Sequence, residues 1–501
     1  MKKDIFRSFM ALSFVFIAIF SSAYLNSIKE KSREEAKKIQ NKNLNKTYES
    51  SLESSDFNLP IVIIDTNGKL VPREEKIPVN MQVYDNKEKS NKLSNDPNIV
   101  SKASIKIRGN STSKYPKKQY NIELLTNKGK ENEKKMLGMA KSSDWVLNGP
   151  FADKSLMRNY IALKTSRNIM EYAPDVRFCE VFLIDDNSTE IKEKHYKGVY
   201  VMIEKIKRGD KRVDITKSLK NLNETSFILA KDRQKEGDIK LKSYGKETYL
   251  YHYGLNVVYP KNSLTPEKYK YIEKHISEFE RVLYSDKFND PVLGYNKYID
   301  IDSFVDYYII NEFFKNTDAG LLSTYIYKDY EDKIKAGPVW DFNKSLGNHN
   351  DEIGKPYDYT AFFMNQRPWF DRLMEDINFA NKVVDRYKLL RKTYLSDEYL
   401  LNLIDETVKS LGDASKRNFY QWPMDMSNQA EVFEENGDVS GEYSADISKY
   451  KEFLKKNDHL LKDATGKATS YDEEINLMKN FIVKRGKWMD ENIDSLRKWA
   501  N

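Results

Sequence analysis

Cysteine is almost absent from this sequence: Cys179 is the only one in 501 residues. A single cysteine excludes an intramolecular disulfide and any zinc site built from several cysteines. No cysteine lies directly after the N-terminal apolar stretch, which also excludes a lipoprotein anchor. Cys179 lies in the run Arg177-Phe178-Cys179-Glu180-Val181, where we predict a small buried apolar residue rather than a reactive thiol.

Several motifs that mark common enzyme classes are missing as well. The chain has no glycine-rich dinucleotide loop, no phosphate loop ending in Gly-Lys-Ser/Thr and no His-Glu-x-x-His motif. Its five histidines are scattered, and the protein-kinase signatures His-Arg-Asp and Asp-Phe-Gly do not occur. These absences count against zinc-dependent hydrolysis and ordinary NAD chemistry.

Neither sign of charge dominates the composition. The 83 Lys and Arg residues oppose 76 Asp and Glu residues, which leaves a formal net charge of +7. Because this value is a small difference between two large numbers, it does not indicate nucleic-acid binding. A hydrophobic content of 40% and an aromatic content of 13% are enough, at this length, for a large core or two packed lobes.

The N-terminus has the pattern of an exported chain. Positive charges within residues 1–8 precede an uncharged apolar stretch at residues 9–25, which favours export with residues 1–8 left in the cytoplasm. The stretch is near the lower limit for a transmembrane helix, and Phe20–Ala23 only loosely resembles a cleavage site. We therefore expect an uncleaved membrane anchor, with a cleaved signal peptide as the alternative. Residues 26–56, rich in Lys, Glu, Asn and Ser, are predicted to be a solvated spacer.

Short runs of alternating or β-branched residues predict a sheet-rich N-lobe at residues 57–264. A helical pattern at Lys154–Met170 interrupts them. The predicted strands are Leu59–Asp65, Ser104–Arg108, Gln119–Leu124, Phe178–Ile184, Gly198–Ile203 and Ser226–Ala230.

Beyond this lobe the pattern becomes helical, which predicts a mainly helical C-lobe at residues 265–501 and an α+β fold class. The apolar stripe at residues 301–313 predicts a helix that Asp300 or Asp302 could cap. Residues 428–467 are mostly polar and are predicted to form a surface loop or insertion. Two strand-like pieces and a closing helix complete the lobe; they are Ser323–Lys328, Lys333–Trp340 and the apolar repeat from Ile475 to Leu496.

Polar residues at the ends of these predicted elements are the first candidates for a functional site. Arg108 and Asn110 flank a glycine that permits close backbone approach, and amide or hydroxyl side chains there can bind phosphate oxygens. A hairpin turn with exposed lysines is the alternative. Arg158 follows Asp153, a candidate helix cap, and is either a phosphate contact or half of a surface ion pair. Glu204 ends a strand, where charges usually face solvent.

The strongest candidates are two aspartates at the boundaries of apolar elements. Asp318 comes just after the predicted helix at residues 301–313, and Asp341 comes just after Trp340. Phosphoryl transfer needs one carboxylate to orient or deprotonate the acceptor, another to hold the magnesium on the phosphates, and a further cation. Asp318, Asp341 and Lys118 could fill these roles. Taken alone, two aspartates at this spacing are more often a helix cap and a surface ligand than a functional site.

At these residues the sequence resembles the CotH kinase family, atypical protein kinases first known from spore coats. The motifs follow the family order from about residue 58 to the closing helix, and their joint occurrence is what makes the resemblance specific. The residues that carry it are Arg108–Thr112 with Tyr115–Lys118, Asp153–Asn159, Tyr196–Tyr200 with Glu204–Ile206, Asp302–Tyr308, Asn316–Asp318 and Trp340–Phe342.

The resemblance implies a divergent, two-lobed protein-kinase-like fold that binds ATP and Mg²⁺ or Mn²⁺ between its lobes. It assigns the catalytic role to Asp318 and the metal-binding role to Asp341. Asn343 stands where the family often has a second acid, and its amide oxygen can still coordinate the metal. Glu204 would pair with Lys118. The residues expected to contact ATP are Lys118, Arg158, Glu204, Arg108 and Asn110.

Two functions of different classes remain open from the sequence. One is a kinase that phosphorylates Ser or Thr of an exported protein, for example a serine-rich coat or surface protein. The other is a non-catalytic surface or spore-coat scaffold or adhesion protein that retains the fold. Scarcity of ATP outside the membrane favours the scaffold, whereas the joint presence of Lys118, Asp318 and Asp341 favours the kinase. The expected location is extracytoplasmic, either membrane-anchored or secreted, and includes the spore coat.

Overall fold

The structure is a computed structural model that describes residues 49–50, 56–86, 90–110, 112–233, 236–241, 254–348, 358–424 and 468–500. The apolar stretch at residues 9–25, most of the spacer and the predicted loop at residues 428–467 lie outside these ranges. Within the described ranges, no helix combines the length and the apolar character needed to cross a membrane.

The first half of the described chain is rich in strands. They are β1 Glu49–Ser50, β2 Ile61–Asp65, β3 Ile77–Tyr84, β4 Ile99–Arg108, β5 Gln119–Leu125, β6 Asp144–Asn148, β7 Val176–Ile184, β8 Glu190–Ile191 and β9 Tyr196–Glu204. Within the described residues, seven of them close into a barrel in the order β2-β3-β4-β5-β6-β9-β7. β2 and β7 pair in parallel, and the other barrel neighbours pair antiparallel. The short strands β1 and β8 form a separate parallel pair.

Apolar side chains that alternate along these strands fill the barrel interior. Val62 and Ile64 on β2, together with Trp145 on β6, are almost fully buried there. Cys179 is also fully buried, which confirms the predicted small buried residue, and this burial raises the pKa of its thiol above the usual value. A closed barrel, rather than a kinase-like open sheet, therefore forms this part of the α+β fold. Closure depends on the β2–β7 pairing, which joins segments far apart in the sequence.

A second, antiparallel sheet lies beside the helices. Its strands are β10 Phe227–Asp232, β11 Gly254–Tyr259, β12 Thr324–Lys328 and β13 Lys335–Ala336. In the described part of the chain they are ordered β11-β10-β12-β13. β10 pairs with both β11 and β12, so the sheet joins strands from the two sides of residue 264.

The α-helices of the described ranges belong mainly to the second half of the chain. They are α1 Arg158–Ser166, α2 Pro266–Leu283, α3 Ile301–Phe314, α4 Phe370–Leu373, α5 Ile377–Leu390, α6 Asp397–Gln421 and α7 Tyr471–Asn492. Asp300, one of the two caps proposed for α3, accepts a hydrogen bond from Ser303 N at 2.8 Å. A 3₁₀ helix at Ile493–Trp499 continues α7, so the closing helix that the apolar repeat predicts changes type before Leu496.

A buried ion pair fixes α7 against α3. Arg485 on α7 and Glu312 on α3 are both 0% exposed, and Arg485 Nη2 lies 2.5 Å from Glu312 Oε1. The Glu312 carboxylate also accepts hydrogen bonds from the backbone N–H groups of Phe363 and Met364. Arg485 donates to the carbonyl oxygens of residues 359 and 361. The end of α3, the segment at residues 358–364 and α7 are therefore held as one unit.

Helix α6 packs closely on the barrel at Gly198 in β9. Asn418 Oδ1 accepts hydrogen bonds from Val199 N at 3.1 Å and from Lys117 Nζ at 2.7 Å. Trp422 Nε1 donates to the carbonyl oxygen preceding the glycine. Gly198 has φ = 87°, and a Cβ there would lie 2.5 Å from Asn418 Oδ1 and 3.2 Å from the Trp422 ring. Glycine is therefore required at this position by both conformation and packing.

We expect Gly198→Ala to lower the free energy of unfolding by more than Gly129→Ala does. Gly129 also has a positive φ, of 73°, but a Cβ there would meet nothing within 4 Å. Both variants suffer the left-handed strain of roughly 1–2 kcal/mol. Gly198→Ala must in addition displace α6, which by analogy with overpacked cores costs about 1–3 kcal/mol. Urea unfolding measures the difference, and equal losses would contradict a tight α6–barrel contact.

Candidate active site

The turn that carries Asp318 follows α3 directly. Lys315 ends the helix in the left-handed conformation, with φ = 49°, and Asn316 N returns a hydrogen bond to Asn311 O at 2.9 Å. The carbonyl oxygen of Asp318 then accepts hydrogen bonds from the N–H groups of residues 321 and 322. Asp318 is partly buried on this closed turn.

Asp341 lies on a second turn, after β13, that is linked to the first. Leu346 N donates to Phe314 O at the end of α3, at 2.8 Å, and Asn316 Nδ2 lies 3.3 Å from Trp340 O. Asp341 itself has φ = 60°, a conformation that is uncommon for residues other than glycine and is often found at functional sites. These links bring the two aspartates, 23 positions apart in the chain, to one site.

The electrostatic environment of Asp341 shows which charges meet there. Burial is the main reason that the pKa of Asp341 is raised to about 6; Arg108 opposes the shift, and the charges of Asp318 and Asp232 add to it. The Arg108 guanidinium lies 5.4 Å from the centre of the Trp340 ring, so the end of barrel strand β4 reaches the turn that carries Asp341. The structure therefore brings together Asp318, Asp341 and Arg108, three of the residues predicted from the sequence.

Two further residues of this cluster were not predicted. Tyr325 on β12 is partly buried. Burial is the main reason that the pKa of its hydroxyl is raised; the charges of Asp232 and Asp341 add to the shift, and Arg108 opposes it. Asp232 is the last residue of β10, which pairs with β12. A sequence signal for Asp232 is present, because this carboxylate follows the predicted strand Ser226–Ala230 by two positions.

Asn343 is held by a chain of amide hydrogen bonds, which we call the amide relay. Phe342 N donates to Asn159 Oδ1 at 2.9 Å, Asn159 Nδ2 donates to Asn343 Oδ1 at 2.5 Å, and Asn343 Nδ2 donates to Asp341 Oδ1. A backbone N–H can only donate, so it sets the orientation of both amides. Asn343 turns its nitrogen, not its oxygen, towards Asp341. The predicted role of Asn343 as an oxygen ligand for the metal does not fit this arrangement.

Arg158 has a structural position instead of the predicted phosphate contact. Its side chain is 0% exposed, so it cannot reach a ligand from solvent. It fixes the start of α1, and with it Asn159, against the turn that follows Asp341. Its partners are Asp153 Oδ1 at 2.6 Å, Glu474 Oε1 at 2.7 Å, Ser345 O at 3.0 Å and Leu346 O at 3.3 Å.

Glu204 does not make the predicted ion pair with Lys118. Its carboxylate is 1% exposed, pairs with Arg212 and accepts a hydrogen bond from Asp175 N at 3.0 Å. A contact between Glu204 and ATP is excluded by the same burial. Lys118 Nζ donates to Ser113 O at 3.1 Å, in the connection from β4 to β5.

Asn110 lies in the same connection and is exposed. Its carbonyl oxygen accepts a hydrogen bond from Ser113 Oγ at 2.7 Å. The connection begins after Arg108, which lies over the Trp340 ring and within charge range of Asp341. Asn110 and Lys118 therefore lie on the loop next to the cluster, and their contacts with ATP stay predictions.

The donor set at Asp341 fits a divalent cation that arrives with phosphate. Across the ranges that the structure covers, no three His, Cys, Asp or Glu side chains lie close enough together to hold a metal ion by themselves. Mg²⁺ is commonly bound by one or two carboxylates, with substrate phosphates and water completing the coordination. The Asp341 carboxylate, close to the charge of Asp318, is a hard oxygen donor of this kind.

Comparison with known proteins identifies one family. The family model described as CotH kinase protein matches residues 105–489, well over half of the 501 residues. No curated protein matches the chain. The matched range begins within β4 and ends within α7, so it includes Arg108, Asp318 and Asp341.

Proposed function

The chain belongs to the CotH kinase family, and from this premise we propose that it is an ATP- and metal-dependent phosphotransferase acting on Ser or Thr of an exported, spore-coat or surface protein. The observation that carries the proposal is the meeting of Asp318, Asp341 and Arg108 at one site. The three residues come from two turns and a barrel strand, and two carboxylates beside one guanidinium meet the needs of phosphoryl transfer.

Each charged residue has a distinct role in the proposed reaction. Asp318, partly buried, orients the acceptor hydroxyl and accepts its proton as the oxygen attacks the γ-phosphorus and the bond to the β-phosphate oxygen breaks. Asp341 holds the divalent cation. When bound, Mg²⁺ or Mn²⁺ supplies charge neutralisation at the phosphate oxygens. Arg108 places a guanidinium where negative charge moves to the leaving ADP.

The proposed ATP position lies between two lobes. The barrel provides Arg108, and the adjoining β4–β5 connection would bring Asn110 and Lys118 to the phosphates. The second sheet and the helices provide the two aspartates. In this proposal the closed barrel takes the place of the N-terminal sheet of other kinases. We also propose an extracytoplasmic location, with residues 9–25 in the membrane or removed as a signal peptide.

One observation favours the scaffold as a second candidate. Protein kinases use a Lys–Glu ion pair to hold the ATP phosphates, and here Glu204 pairs with Arg212 instead of Lys118. A surface or spore-coat scaffold that retained the fold would have no need for the kinase pair.

Asp341→Asn is expected to lower Mg²⁺-dependent affinity for ATP by at least about 10-fold, because it removes the charge that holds the cation and keeps the side-chain shape. Calorimetry with a non-hydrolysable ATP analogue, with and without Mg²⁺ or Mn²⁺, measures the effect. The matched control is Asp332→Asn, an exposed carboxylate just before β13. If wild type binds no nucleotide, the scaffold is the better interpretation. If Asp341→Asn and Asp332→Asn bind it equally, Asp341 does not hold the cation.

A further inference from the structure

Asn159 and Asn343 share a role that their positions in the sequence do not reveal. Asn343 stands where related sequences often carry a second acid, and the relay makes it a hydrogen-bond donor to Asp341. We propose that Asn159 and Asn343 are positioning residues that act through Asp341 by orienting its carboxylate towards the cation. This inference rests on the proposed function, since it concerns the same metal.

The direction of the relay follows from its first donor. The N–H of Phe342 faces Asn159 Oδ1, so the Asn159 nitrogen must point away from it, towards Asn343 Oδ1. Asn343 then has only its nitrogen to offer Asp341. Asn159 is 4% exposed, so water does not compete for these bonds as it would on the surface.

The surrounding contacts hold both ends of the relay in place. Arg158, next to Asn159, bonds to the carbonyl oxygens of Ser345 and Leu346 on the turn that follows Asn343. Asn348 Nδ2 donates to Asn343 O at 2.8 Å on the same turn. Helix α1 and the turn of Asp341 are thus joined, so the relay has a fixed geometry.

The relay predicts a particular pattern of metal affinity. An amide donor occupies one acceptor position of the Asp341 carboxylate and leaves the others for the cation. Residues that orient a metal ligand typically change metal affinity by about 10–100-fold when they are replaced. Because Asn159 acts through Asn343, removing either residue should lower the metal affinity by the same factor. Removing both should lower the metal affinity no further than removing one.

The test is Mn²⁺ binding by the full chain together with a non-hydrolysable ATP analogue, followed by calorimetry of the Mn²⁺–analogue complex. We expect Asn343→Ala and Asn159→Ala each to weaken Mn²⁺ binding by about 10–100-fold, with no further loss in the double variant. Urea unfolding of each variant separates this effect from a loss of fold.

Asn159→Asp gives the sharper result because it has nearly the same shape. One oxygen of the introduced carboxylate still accepts from Phe342 N, but the other accepts from Asn343 Nδ2 and turns the Asn343 oxygen towards Asp341. The relay therefore predicts weaker Mn²⁺ binding, although the substitution adds negative charge. If Asn159→Ala does not fold, Asn159→Asp still tests the relay.

The outcomes separate the inference from the proposed function. Unchanged or tighter Mn²⁺ binding in Asn159→Asp, or fully additive losses in the double variant, overturns the relay while the metal site stands. A wild-type chain that does not bind the Mn²⁺–analogue complex overturns the relay and the metal-dependent function together.

Discussion

Asp318→Asn is expected to reduce phosphoryl transfer by about 10²–10⁴-fold, the contribution typical of a general base. The substitution keeps the shape of the side chain but removes its ability to accept the proton of the acceptor hydroxyl. ATP affinity should change much less, because Asp341 provides the proposed metal contact and the β4–β5 connection provides the proposed phosphate contacts. Transfer of labelled phosphate from ATP to the protein itself or to a serine-rich acceptor measures the first effect, and calorimetry measures the second.

The matched control is Asp302→Asn on α3, the helix that leads to Asp318. Asp302 is exposed and pairs with Lys382 at the surface, so its loss should leave transfer unchanged. Transfer that survives in Asp318→Asn would show that another group accepts the proton. Asp232, which lies within charge range of Asp341, is then the next residue to replace.

Arg485→Ala is expected to lower the free energy of unfolding by about 3–5 kcal/mol, the cost of leaving a buried charge without its partner. Glu312 is 0% exposed, and burial already raises the pKa of its carboxyl above the ordinary value. The substitution also removes the donors to the carbonyl oxygens at residues 359 and 361. Urea denaturation measures the loss.

Two companion variants separate the ion pair from its surroundings. Lys479→Ala, on the same helix, breaks an exposed pair with Asp405 and should cost at most about 1 kcal/mol. Combining Arg485→Met with Glu312→Gln removes both charges and should recover part of the stability lost in Arg485→Ala. Equal losses in Arg485→Ala and Lys479→Ala would contradict the buried pair.

Loss of this ion pair should also impair catalysis. Glu312 lies six positions before Asp318, and Arg485 joins the end of α3 to the segment at residues 358–364. Helix α7 therefore stabilises the end of α3, which leads to the proposed active site, although none of the α7 residues is placed at the metal or at ATP.

Some residues of the motifs shared with the family have structural roles in this protein. Arg158 and Glu204 belong to such motifs, yet both are buried in ion pairs that hold neighbouring elements together. The glycine of the Tyr196–Tyr200 motif allows α6 to pack on the barrel. A sequence motif shows that a residue type is needed at a position, whereas burial shows whether the need is chemical or structural.

The sequence by itself predicted the local helices and strands and identified Asp318 and Asp341 as candidate site residues. Alternation of apolar residues specified most barrel strands within a few residues, and the stripe at residues 301–313 specified α3 together with the Asp300 cap. These features depend on neighbours one to four positions away, so a linear pattern can show them.

Only the tertiary structure decided how the strands close and which partner each charged side chain has. The parallel pairing of β2 with β7 turns a sheet into a barrel, and Glu204 meets Arg212 instead of Lys118. It also showed that Asp232 and Tyr325 share the site and that Asn343 faces Asp341 with its nitrogen. The physical reason is that each of these outcomes depends on burial and on groups distant in the chain, whose competing hydrogen bonds and charges local spacing does not contain.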